Sequence, residues 1–137
     1  MTKILVVDDQ PDIREALCEH LIRNGMAAVP AANAAEAREC LEREEIDLVV
    51  LDIMMPGING ISLCEMIRDV PSYRAVPIIM ITASKEPAMM QRAFDAGATD
   101  FLCKPLDGVE LSARINAASM LNASLLRERE AQHTLSE

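Results

Sequence analysis

Five polar side chains each follow directly on a short apolar run. Asp8 and Asp9 come after Ile4-Leu5-Val6-Val7, Asp52 after Leu48-Val49-Val50-Leu51, Thr82 after Ile78-Ile79-Met80-Ile81, and Lys104 after Asp100-Phe101-Leu102-Cys103. If those runs lie side by side and point the same way, three carboxylates, a hydroxyl and an ammonium meet at one rim. Two carboxylates ~4 Å apart repel by about 1 kcal/mol in water and about 4 kcal/mol at a dielectric of ~20. Lys104 offsets one charge, and the rest suits a hard divalent cation such as Mg²⁺, which takes one or two carboxylates and keeps waters and phosphate oxygens. An isolated Asp-Asp pair reads more simply as a helix cap beside a solvated charge. Here the other polar run ends argue for a site. With a phosphoryl group in it, a carboxylate oxygen of Asp52 can attack phosphorus to give an acyl phosphate. The cation and Lys104 would neutralise the equatorial oxygens, the Thr82 hydroxyl would donate to one of them, and the small Ala83 would leave room.

The elements needed to position these groups are legible in the pattern. The runs at 4–7, 48–51 and 78–81 lack polar alternation, as strands covered on both faces do. Met26-Ala27-Ala28-Val29 is poor in strand formers and runs into Pro30, which suits a sheet edge; Asp100–Cys103 is short and suits the other edge. Between the runs lie helical stripes: Ile13, Ala16, Leu17 and Leu21; Ala37, Cys40 and Leu41; Met90, Ala93 and Phe94; and Val109, Leu111, Ile115 and Ala118. Pro11 suits a helix first turn, and Gly25 and Gly97 suit left-handed helix ends. Five strands alternating with helices, the second and fifth weakest, fit an α/β fold: a doubly wound parallel sheet ordered 2-1-3-4-5. Right-handed crossovers then put every strand's carboxyl end on one edge, where the five polar residues would converge.

Composition bounds the rest. The chain has 137 residues, 13 Lys plus Arg against 22 Asp plus Glu, and a net charge of −9. That charge argues against direct binding of nucleic acid and against a polybasic hold on a membrane. No apolar run reaches the ~18–20 residues that span a bilayer and no leader precedes the first strand, so a cytoplasmic protein is expected. Cys18, Cys40, Cys64 and Cys103 form no CxxC pair and are expected to be small buried side chains in a reducing compartment. Neither His20 nor His133 lies at zinc-ligand spacing from a cysteine. His20 falls on the first helical stripe, at the core margin, and His133 in a charged tail.

The segments VVDDQ, LDIMMPGING, ITA and GATDFLCKP, in that order and spacing, resemble the receiver domain of bacterial two-component response regulators over about residues 2–120. The resemblance implies a (βα)5 flavodoxin-like domain over 1–120, with Asp52 as phosphoacceptor taking its phosphoryl group from a phosphohistidine of a sensor histidine kinase or phosphotransfer protein. It also implies that Asp9 binds Mg²⁺ (or Mn²⁺) directly and Asp8 through water. Asp52 and the backbone carbonyl of Met54 complete the metal set, and Lys104 bridges to the phosphoryl group. The Lys104–Pro105 bond is expected to be cis. The implied product is a phosphorylation-controlled switch, not a turnover enzyme. Thr82 moves toward the phosphoryl group and Phe101, three residues before the lysine, turns inward. Tyr is common at that position; Phe fills the same cavity without a hydroxyl to bond at the surface. Met54 cannot hold a hydrolytic water as a polar residue could, which predicts slow loss of phosphate. The loop Met54-Met55-Pro56-Gly57-Ile58-Asn59-Gly60 joins strand to helix, its glycines allowing backbone to approach the ion.

Residues 121–137 stay helix-compatible beyond the domain. Ala118, Leu121, Leu125 and Leu135 give a heptad broken at Glu128 and Gln132. Such an extension is similar to helices that join receivers to output domains, or that pair two copies into a homodimer. Three other readings share the topology. A haloacid-dehalogenase-like phosphatase carries its nucleophile on the first strand in an Asp-x-Asp motif, whereas Gln10 stands here at the second acid's place. A receiver-shaped interaction module that never carries phosphate usually lacks the acid, hydroxyl or lysine, all of which are present. A flavin-binding domain needs a first loop that cradles phosphate, and Asp8-Asp9 would repel it.

Overall fold

Strands buried on both faces need helices on both sides, and the two layers form here as separate cores. The computed structural model describes residues 2–55, 59–83 and 86–120. Strands β1 (Lys3–Val7), β2 (Ala27–Ala31), β3 (Leu48–Asp52), β4 (Ile78–Thr82) and β5 (Asp100–Cys103) alternate with helices α1 (Pro11–Arg23), α2 (Ala34–Arg43), α3 (Gly60–Asp69) and α4 (Pro87–Asp95). A last helix, α5, occupies 108–120 of the described residues. All pairings are parallel and the order is β2-β1-β3-β4-β5, as the sequence predicts. Side chains alternate across the sheet. Leu5, Val7, Val49, Leu51 and Met80 pack against α2, α3 and α4. Ile4, Val6, Val50, Ile79 and Ile81 pack against α1 and α5.

Local signals start the helices. Pro11 opens α1, Asn33 caps α2 by accepting from Glu36 N (2.9 Å), and Asn59 caps α3 by accepting from Ser62 N (2.9 Å). Gly25 and Gly97 take the positive φ that helix ends require. Several expectations are corrected. Strand β2 continues through Pro30 to Ala31, because a proline on an edge strand can turn its missing donor away from β1. Asp52 and Thr82 are the last residues of their strands, not the first beyond them. Ala16, Phe94 and Val109 lie outside the core; Val109 is 80% exposed. Of the cysteines only Cys64 is fully buried, donating to Ala96 O (3.4 Å) with its thiol pushed up to about 11 by burial. Cys18, Cys40 and Cys103 are half-buried. His20 does sit at the core margin, its Nε2 2.9 Å from Ser112 Oγ, tying α1 to α5. His133, the loop residues Pro56, Gly57 and Ile58, and the helical reading of 121–137 fall outside the described residues. Among those described, no helix is long and apolar enough to cross a membrane.

One side chain locks the two strands that deliver Thr82 and Lys104. Arg68, at the end of α3, donates from Nε and Nη2 to Gly97 O (2.9 and 2.7 Å) and from Nη1 to the carbonyls of Tyr73 (3.2 Å), Arg74 (3.2 Å) and Val76 (2.5 Å). Val76 leads into β4 and Gly97 leads toward β5. A Cβ at Gly97 would lie 2.8 Å from Arg68 Cγ. Removing a charged donor that satisfies several carbonyls is costly. Arg68→Met is therefore expected to lower the unfolding free energy by about 3 kcal/mol in a urea titration. An unchanged midpoint would contradict this account of the clamp.

Candidate functional site

Strands β1 and β3 are neighbours, so Asp8, just past the end of one, and Asp52, at the end of the other, must meet. Asp8, Asp9 and Asp52 each offer a carboxylate oxygen within 4.8 Å of the others. Asp8 and Asp52 are buried at 1% and 2% exposure, and Asp9 is half-buried. Lys104 Nζ lies 3.3 Å from Asp52 Oδ2, while Asp52 Oδ1 accepts from Met54 N (3.1 Å). Asp8 N donates to Ala31 O (3.1 Å) and Asp8 Oδ1 accepts from Gln10 N (2.9 Å). Burial pushes the Asp8 carboxyl above its ordinary range. The charges of Asp52 and Asp9 add to the rise, against the opposing pull of the Gln10 N–H and Lys104.

Thr82 is buried at the end of β4, and its carbonyl accepts from Lys104 N (2.8 Å), which carries the β4–β5 pairing up to the site. The Lys104–Pro105 peptide is cis, as expected. Phe101 is half-buried, its ring edge-on to Phe94 with centroids 5.4 Å apart. An apolar groove of about 510 Å³ lies between α1 and the β5–α5 connection, lined by Ile13, Ala16, Pro105 and Leu106 and reaching Lys104.

Two contributors act through main-chain atoms: Gly60, expected as a loop glycine that lets backbone approach the ion, and Arg14, to which type and spacing give no role. Gly60 opens α3 so close to the end of β3 that a Cβ would lie 2.3 Å from Asp52 O, while its N donates to Ile53 O (2.9 Å). The close approach it permits is therefore to the β3 strand end. Arg14, in α1, donates from Nη1 to Asp8 O (2.7 Å). Its only sequence signal is a cation one helical turn past the acidic pair.

Among the described residues, Asp8 Oδ2 is a buried carboxylate oxygen with no hydrogen-bond partner. An all-oxygen donor set with one such oxygen fits a hard divalent cation, so this cluster could coordinate one. The site therefore gathers paired acids, a lysine and a strand-end hydroxyl on a (βα)5 sheet, the arrangement of a phosphate-handling switch. Residues 4–116 match the model of the response regulator receiver domain. The chain is 44% identical over 114 residues to the protein PetR of Rhodobacter capsulatus, covering 83% of this chain and 47% of that one. It is 42% identical over 116 residues to the transcriptional regulatory protein ResD of Bacillus subtilis, covering 85% and 47%. The chain thus spans about half the length of the curated relatives it matches. Among solved structures, the chemotaxis protein CheY4 of Vibrio cholerae superposes with a TM-score of 0.84 at 29% identity, covering 86% of this chain and 98% of that one. A two-component response regulator from Clostridium difficile gives 0.81 at 30% identity, covering 86% and 95%. The chain belongs to the response regulator receiver domain family. It is a phosphoacceptor receiver domain, a phosphorylation-controlled switch rather than a turnover enzyme.

The raised Asp8 pKa has a consequence for stability. A folded-state pKa above the unfolded one gives stability that is present at low pH and lost as pH rises through the folded value. At neutral pH without divalent cation, the Asp8 charge therefore works against the fold. Asp8→Asn keeps the acceptor for Gln10 N and gives the neighbouring carboxylates a donor. It is expected to raise unfolding stability by about 1 kcal/mol at pH 7, with the gain vanishing toward pH 4, near the ordinary range of Asp. A lower or unchanged urea midpoint at pH 7 would overturn this.

Proposed function

We propose that Asp52 accepts a phosphoryl group from a phosphohistidine of a sensor histidine kinase or phosphotransfer protein, with Mg²⁺ or Mn²⁺ held by Asp8, Asp9, Asp52 and the carbonyl of Met54. The observation that carries this reading is the Asp52 carboxylate, buried, flanked by Asp8 and Asp9 and faced by Lys104 at 3.3 Å. A carboxylate oxygen of Asp52 attacks phosphorus as the phosphorus–nitrogen bond breaks, leaving an acyl phosphate and a free imidazole. Lys104 follows the new charge from the carboxylate to the phosphoryl oxygens, and Thr82 donates its hydroxyl to one of them. When bound, the cation supplies charge neutralisation on those oxygens. The groove beside Lys104 supports arrival of the partner's histidine from the α1 side.

In this reading Thr82 and Phe101 are the moving parts of the switch. Phe101 has no hydroxyl to hold it outward, and its edge contact with Phe94 takes that place. The proposed domain is 1–120. For residues 121–137, which lie outside the described residues, the proposed role is a link to an output domain or pairing with a second copy, and the roughly double length of relatives such as ResD supports the former. Direct contact with nucleic acid or membrane by this domain is not part of the proposal, given the net charge of −9.

Incubation with acetyl phosphate and MgCl₂, followed by intact-mass measurement, is expected to show one phosphoryl group per chain. None should appear on Asp52→Asn or after chelation of the cation. Wild-type protein that gains no mass would defeat the reading.

Met54 stands beside the acceptor with 63% of its surface exposed and a thioether that cannot activate water. The acyl phosphate should therefore persist for minutes or longer, and Met54→Asn should shorten its life severalfold in the same mass assay. Decay of the wild-type adduct within seconds would contradict that role for Met54.

A further inference from the structure

The Asp8-Asp9-Gln10 turn carries two of the three acids of the site, both of which must stand close to Asp52, and mutual repulsion pushes it outward. The β1–β3 ladder fixes where the turn begins, at Val7 beside Leu51, and beyond that point the described contacts of the turn itself are few. Asp8 N is tied to Ala31 O on the edge strand, whereas the bond from Gln10 N to Asp8 Oδ1 lies inside the turn and anchors it to nothing else. Two described ties run to α1: Arg14 N to Gln10 O at 3.0 Å, which holds the far end of the turn, and Arg14 Nη1 to Asp8 O at 2.7 Å, which reaches the acidic residues themselves. Arg14 belongs to α1, which is fixed to the sheet by the buried Leu17 and Leu21. Among the described residues Arg14 forms no ion pair, so its cationic end serves a carbonyl instead of neutralising an acid. A charged donor makes a stronger bond to a carbonyl than a neutral one.

We infer that Arg14 is the positioning residue of the acidic site, holding the Asp8–Asp9 turn through Asp8's carbonyl so that both carboxylates are in place before the cation arrives. This rests on the phosphoacceptor reading above. Position and charge act in opposite directions here, which makes the idea decidable. Removing a nearby positive charge deepens the negative potential and tightens cation binding. Removing the brace leaves the cation to draw the turn inward itself, which weakens binding.

The test is calorimetric titration of MgCl₂ into the unphosphorylated 137-residue chain for wild type, R14M, R14K and R14Q, with urea midpoints measured alongside. R14M is expected to raise the Mg²⁺ Kd about tenfold, one charge-assisted hydrogen bond's worth. R14K should recover most of the loss and R14Q less. An R14M Kd tighter than wild type, or unchanged within about twofold, overturns the inference even if the urea midpoint falls, since a merely structural arginine would move stability alone. Should R14M not fold, the R14K and R14Q titrations decide: Kd rising from Arg to Lys to Gln supports the brace, and equal values sink it. A wild-type chain that shows no Mg²⁺ binding and takes no label from acetyl phosphate defeats the underlying reading instead. Normal labelling of the wild type with an unaffected R14M defeats only the role of Arg14.

Discussion

Three carboxylates that repel one another are held within 4.8 Å at the end of a buried sheet, two of them almost wholly out of solvent. Much of the local structure can be understood as resisting that repulsion. The strand order makes β1 and β3 neighbours, so Asp8 and Asp52 cannot separate without breaking a ladder buried on both faces. Lys104 arrives from the opposite edge strand to meet Asp52. Backbone donors from Gln10 and Met54 take one oxygen of each buried acid, and Arg14 holds the carbonyl beneath the first. Among the described residues one oxygen of Asp8 is left without a partner, and that residual demand separates a binding site from a satisfied polar cluster.

The supports reach well beyond the acids. Gly60 lets α3 start almost in contact with the main chain of Asp52 and Ile53, and its N–H ties the start of the helix to Ile53 O. Arg68, at the other end of the same helix, gathers carbonyls from the chain leading into β4 and from the turn before β5. One helix thus braces the acceptor at its amino end and the hydroxyl- and lysine-bearing strands at its carboxyl end. Rigid delivery of reacting groups is what phosphoryl transfer asks of a protein, since little else has to be supplied.

How much of this could be read in the residues follows from which forces act locally. Unbroken apolar runs declare a sheet covered on both faces, and the rule that parallel strands share a carboxyl edge then gathers Asp8, Asp9, Asp52, Thr82 and Lys104. Pro30 gave β2 its place at the edge but not its length, because a missing donor matters only on the side that is paired. Phe94 and Val109 looked like core residues from helical spacing; the period names a face, and only packing decides how wide that face is. Arg14 and Gly60 act through main-chain atoms of distant residues. No type-and-spacing rule names the partner in such contacts: the residues show that Gly60 permits a close approach but not to what, and they give Arg14 no role.

The alternation of side chains across the sheet splits the interior into two chambers that share no atoms except the strands between them. A change of volume under α1 and α5 is felt by Ile4, Val6 and Ile81, and one under α2, α3 and α4 by Leu5, Val7 and Met80. The acids lie on the rim of the dividing wall and draw on both. A lineage can therefore refashion the outer surface of one chamber, acquiring new associations there, while the opposite chamber and the chemistry at the rim stay as they are.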